Sequence, residues 1–188
     1  MIHQIKGSSQ EKFDEMWSEV IERSCNWLWQ QRDLYRSRGR ALHEKERGVL
    51  QGYYDEQTLN AAHVATVDTI SNPPFYHELV QSGFPTLDIS GSAGITFIDC
   101  IVVRNGMEKN FRTWIYLLFH ELVHVVQYQI LGPRKLVEEY IRAWHQNGYN
   151  YYDIPLEAQA YRLESQFRRS KSLFLVREVV EQELKTLV

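Results

Sequence analysis

His120, Glu121 and His124 stand in the run Phe119-His120-Glu121-Leu122-Val123-His124. Helical residues four apart lie one above the other on one face, so these two imidazoles would point at a single spot. That spacing holds zinc, and the intervening glutamate reaches the zinc-bound water as its general base. A near copy, Tyr76-His77-Glu78-Leu79-Val80-Gln81, ends in Gln81, whose amide is a poor zinc ligand. His77 and Glu78 therefore lack a second nitrogen to work with. Pro73-Pro74 before them and Gly83-Phe84-Pro85 after them leave room for only about two helical turns. The first run is a candidate site, and the second is a decoy.

A catalytic zinc needs three protein ligands and an open position. The metzincin arrangement, with glycine at 127 and histidine at 130, is excluded by Gln127 and Ile130. His145, Asp153 and Glu157 remain downstream. His145 closes a helix just before Asn147-Gly148, and Asp153 precedes Ile154-Pro155, where it suits a helix N-cap. Glu157 falls in the first turns of IPLEAQAYRLE beside small Ala158 and Ala160, which let that helix approach another backbone closely. The 33 residues from His124 to Glu157 hold one intervening helix that can return the chain antiparallel. Glu157 is the favoured third ligand, with Asp153 and His145 as alternatives.

HELVH followed by the helix-borne Glu157-Ala158-Gln159-Ala160-Tyr161 resembles the gluzincin branch of the zincin metallopeptidases. With its trailing Gln127 it is also similar to bacterial peptidase domains of unassigned substrate. The resemblance covers about residues 95–169. It implies a zincin-like fold, with Zn2+ as cofactor, His120, His124 and Glu157 as ligands and Glu121 as base. It also implies that ITFIDCIVVR supplies an edge strand above the active helix, pairing with extended substrate. Many gluzincins carry an aspartate four residues after the glutamate ligand, where it orients a histidine; here that position is Tyr161. For a developing oxyanion, Tyr149, Tyr151 and Tyr152 in GYNYYDIP are candidate phenol donors.

The elements that must position these groups are legible in outline. Phe111–Leu131 reads as a helix apolar on nearly every face and hence buried, stopped by Gly132-Pro133. Helices are expected over 134–146, 155–169 and 173–187. Leu87–Ser90 and Ile95–Arg104, separated by Gly91–Gly94, are β-branched and aromatic and give the best strand or hairpin signal in the chain. Upstream, Ser8 and Glu11 form a capping-box pattern. It opens a helix whose apolar stripe includes Phe13, Met16, Trp17, Val20, Ile21, Leu28 and Leu34. Asp55 caps a second helix that ends before Ser71. The expected class is α+β, mostly helical, with a small sheet beside the HExxH helix. One domain is expected over 1–188: a helical part at 1–75, a strand and metal-site core at 84–170, and a terminal helix at 171–188.

Composition narrows the function. The chain has 188 residues and a formal net charge of −3. Nucleic acid and membrane are therefore not expected partners, and the basic cluster at residues 32–40 reads as a solvated helix end. With no secretory signal or membrane span, and with Cys25 and Cys100 the two lone thiols, a cytoplasmic protein is expected; export without a classical signal leaves no trace. The expected function is a zinc-dependent metallohydrolase acting on a peptide or protein. The alternative is a non-catalytic zinc domain that binds a partner, and oligomeric state is not legible.

Overall fold

The structure is a computed structural model that describes residues 2–169 and 172–187, with side chains from 16 to 169 and from 172 to 185. It is an α+β fold, mostly helical, with a four-stranded mixed sheet. In chain order the elements begin with α1 (Ile2–Arg36), β1 (Arg40–Ala41), α2 (Glu44–Leu50), α3 (Glu56–Ala61) and β2 (His63–Val67). Next come α4 (Tyr76–Gln81), β3 (Gly94–Phe97) and β4 (Cys100–Arg104). The last four are α5 (Phe111–Leu131), α6 (Pro133–Gln146), α7 (Pro155–Arg169) and α8 (Val176–Leu187).

The sheet order is β1-β2-β4-β3. β2 runs parallel to β4, and β3 runs antiparallel to it, with Ile95 opposite Val102. Sequence patterning placed these strands only partly. Leu87–Ser90 is not a strand; Ile95–Arg104 holds most of β3 and all of β4, a hairpin that turns at Ile98-Asp99, where Ile98 has φ 62°. The helix capped by Asp55 stops at Ala61, and the β-branched run His63–Val67 enters the sheet, with Val64 and Ala65 buried. α1 is already helical from Ile2, upstream of the expected start at Ser8; the side chains of Ser8, Glu11 and Phe13 lie outside those described.

Alternate residues of a strand face opposite ways, and β3 uses both faces. Phe97 meets α1, its ring centroid 5.3 Å from that of Trp27 and stacked with Tyr35. Thr96 meets α5 through Glu121. The sheet therefore lies between α1 and α5. The basic cluster at 32–40 is not simply a solvated helix end. Arg32 donates to both carboxylate oxygens of Asp99 at 2.8 and 2.9 Å, and Arg36 lies 3.0 Å from the same carboxylate. These two guanidinium groups clamp the β3–β4 turn and so help fix where β3 sits. Arg40 pairs with buried Glu46, which also accepts from the Trp114 indole at 2.8 Å and ties β1 and α2 to the start of α5.

Helix α5 runs through the core. Asn110 caps it by accepting from the Thr113 amide at 3.1 Å, and Gly132, at φ 76°, ends it. Phe119 stacks on Phe167 of α7 with centroids 4.3 Å apart, and Ala160 is fully buried where the two helices meet. α8 joins this core through Val176 and Val180, and the Arg177 guanidinium lies 2.6 Å from Asp55. No helix among the described residues is long and apolar enough to cross a membrane. Cys25 and Cys100 are free thiols.

Candidate metal centre

α5 and α7 bring His120, His124 and Glu157 together, all three buried or nearly so. The two Nε2 atoms lie 3.2 Å apart. Glu157 Oε2 is 3.5 Å from His120 Nε2, and Oε1 is 3.4 Å from His124 Nε2. A tetrahedral zinc with bonds of about 2.0–2.1 Å places its donors about 3.3 Å from one another, so the triangle has the right size.

The surrounding hydrogen bonds decide which atoms face inward. The Gln127 amide nitrogen donates to Leu156 O at 3.0 Å and to Gln159 Oε1 at 2.9 Å. Both partners are acceptors, so Gln127 must turn its oxygen toward His124 Nδ1, 2.8 Å away. Nδ1 then carries the proton and Nε2 offers a lone pair. Glu164 Oε2 lies 3.5 Å from His120 Nδ1, which is buried without a hydrogen-bond partner, so the carboxylate favours a proton on that nitrogen by its charge alone. Two lone pairs and a carboxylate thus converge with no donor among them, and Glu157 Oε2 is buried without a hydrogen-bond partner. Three buried acceptors facing one another are costly unless a cation or added protons join them. Burial by itself would lower the pKa of His120, but the Glu157 and Glu164 carboxylates, with Glu121, raise it to about 10. Burial would likewise raise Glu157, and the two histidines hold it well below the usual carboxylate range. The site attracts positive charge, and its donor set of two imidazoles and one carboxylate suits zinc.

Glu121 stands apart from this triangle and is held by the edge strand. Thr96 Oγ1 donates to Glu121 Oε2 at 2.7 Å and lies 3.1 Å from the Glu121 carbonyl oxygen. On its other side, Gly94 leaves room that a side chain would fill, since a Cβ there would lie 2.8 Å from Glu121 Oε1. Gly94 and Thr96 share one face of β3, and together they bracket the carboxylate. Burial raises the pKa of Glu121, against the pull of His120, His124 and the Thr96 hydroxyl.

Of the alternative ligands, neither joins the triangle. Asp153 is exposed in a short 3-10 turn, where Asn150 donates to it at 2.6 Å, and the His145 ring packs between Trp17 and Tyr149. His77 and Glu78 of the decoy are exposed on α4, with Glu78 2.6 Å from Arg23 of α1. Among the candidate phenols, Tyr151 lines the cleft beside the site. Tyr152 is 68% exposed, and Tyr149 packs edge-on against Trp144. Sequence reasoning missed Glu164, Gln127 and Tyr140, whose hydroxyl donates to Glu157 Oε1 at 2.9 Å. Signals for the first two existed. Glu164 is seven residues beyond Glu157 and Gln127 three beyond His124, spacings that share a helix face. Tyr161 instead lays its ring 4.5 Å from that of His120, and a carboxylate facing His120 Nδ1, that of Glu164, sits three residues further on.

Comparison with known proteins finds no matching family model, no matching curated protein and no matching solved structure, so the functional reading rests on the geometry of this site.

Proposed function

We propose that the protein is a zinc-dependent hydrolase of peptides, zincin-like in fold, with His120, His124 and Glu157 holding the metal and Glu121 serving as general base. The observation that carries this is the buried triangle of three acceptors beside a separately held carboxylate. Bound zinc supplies a Lewis acid and makes water acidic enough to ionise near neutral pH. Thr96 occupies Glu121 Oε2, which leaves Oε1 to accept the proton of the attacking water and return it to the departing amide nitrogen. Tyr151 is the phenol assigned to the carbonyl oxygen as charge develops there, and Tyr140 keeps Glu157 turned toward the histidines. β3 is the terminal strand of its sheet, so its unpaired edge can hydrogen-bond an extended substrate. A carboxylate bracketed this way has no work to do in a purely structural zinc site, which weighs against a non-catalytic zinc domain.

Glu121→Gln tests this. It keeps size and helix propensity and removes the proton acceptor. Zinc content and melting temperature should stay near wild type while cleavage of a peptide library falls by about 10²- to 10⁴-fold. Equal cleavage by the two proteins would remove Glu121 from the role; one bound zinc with no cleavage by wild type would replace the enzyme by the non-catalytic domain.

A further inference from the structure

A cleft open to solvent adjoins the metal centre and is lined by the whole of β3. Its far walls come from three places. α1 contributes Val20 and Trp27, α6 contributes Val137 and Ile141, and the segment at 73–92 contributes Leu79 and Phe84. Among the described residues, the charged side chains that line it, Glu121, His124 and Glu157, all belong to the metal centre. The decoy run thereby acquires a purpose. Leu79 and Phe75 close on Val20 of α1, and the Arg23–Glu78 pair ties α4 in place, so α4 forms cleft wall and holds no metal.

We propose that this cleft is a side-chain subsite that selects peptides carrying a large apolar residue, Leu, Phe or Trp, next to the bond that is cut. The proposal rests on the hydrolase reading above and names its substrate class. All of β3, Gly94 to Phe97, lines the cleft, so a main chain paired along that edge lies at its rim. Successive side chains of an extended peptide point to opposite sides, and every second one is therefore directed into the cleft. Its walls are mostly apolar, and among the described residues no charged group stands in its far part to meet an acidic or basic residue. An acyl chain would satisfy the apolar walls but would leave the backbone groups of the β3 edge unused, and this favours a peptide.

Calorimetry on zinc-loaded Glu121→Gln protein reads binding without turnover. The ligands are acetylated hexapeptide amides that differ only in one central residue: Ala, Leu, Phe, Trp or Glu. Leu, Phe and Trp peptides should bind about tenfold or more tighter than the Ala peptide, and the Glu peptide weakest. Ser24 of α1 lines the cleft and is half-buried, so Ser24→Arg in the same background should weaken the Phe peptide about tenfold and strengthen the Glu peptide. If Ser24→Arg melts well below its parent, Ile141→Ala replaces it and should move the preference from Leu toward Trp. Ala and Phe peptides within twofold of each other would overturn the subsite. So would dodecanoic acid binding more tightly than the Phe peptide, which would assign the cleft to an acyl chain. The wild-type protein with the same peptides separates the two levels. Selective binding without cleavage sinks the hydrolase and keeps the subsite, whereas cleavage indifferent to the central residue does the reverse.

Discussion

Gly94→Ala is a one-methyl change that should disable the base and spare the metal. The added Cβ would lie 2.8 Å from Glu121 Oε1, 3.2 Å from Cδ and 3.4 Å from Cγ. Ordinary contact begins at 3.4 Å, so the closest approach is about 0.6 Å too short and the whole carboxyl group is affected, not only its tip. Glu121 is buried, and Thr96 holds its other oxygen at 2.7 Å, so the carboxylate must turn and loosen that hydrogen bond. A displacement approaching 1 Å in a catalytic group costs up to about 10²-fold in rate. The expected result is a fall in kcat/KM of about 10- to 100-fold, with about 1–3 kcal/mol of lost stability from overpacking. The three atoms nearest the added Cβ all belong to Glu121, so zinc content should be unchanged. The assay pairs cleavage of the best library peptide with metal analysis and a melting curve of the same preparation. Full activity in a folded Gly94→Ala protein would refute the placement of Glu121 against β3, and loss of zinc would show that β3 supports the metal itself.

Three other perturbations probe the surroundings. Glu164→Gln removes the carboxylate beside His120 Nδ1 and should weaken zinc affinity about 10- to 100-fold, measured by competition with a chromogenic chelator; unchanged affinity would show that Glu164 does not orient that ring. Chelation of bound zinc should lower the melting temperature by about 8–16 °C, since ligand in thousandfold excess over Kd is worth about 4 kcal/mol. His77→Ala should leave that shift intact, and a folded His77→Ala protein without it would make the decoy the real site. Burial works to raise the Glu46 pKa, but Arg40, the His43 amide and the Trp114 indole hold it below the usual carboxylate range. A depressed folded pKa gives stability that is present above about pH 4.3 and is lost as pH falls through the folded value. Glu46→Gln should therefore be about 1–3 kcal/mol less stable near neutral pH, with the gap closing as the pH falls through the folded pKa; a gap independent of pH would exclude the ion pair as its source.

What was legible and what was not follow from how local each signal is. α5 and α7 were readable almost to the residue, because Gly132 ends the one and Pro155 opens the other. Glu157 was readable as a candidate because small residues and a helical return constrain where it can go. β2 was not, since His63–Val67 begins two residues after a helix and gains its partner, β4, from 37 residues downstream. The strand expected at Leu87–Ser90 failed for the converse reason. Its apolar residues Leu87 and Ile89 line the cleft, with the chain pinned by Asn72 Oδ1 accepting from the Ile89 amide at 2.9 Å. Gly94 and Thr96 could not be singled out, because their importance lies in what stands across from them on α5. Propensity describes a segment alone, and these assignments depend on tertiary partners.

Metal analysis of protein purified without added zinc bears on the whole account. The zinc site proposed at His120, His124 and Glu157 predicts about one equivalent of zinc per chain, lost in His120→Ala and retained in Glu121→Gln. Folded wild-type protein that carries no metal and takes up none from micromolar zinc would contradict it.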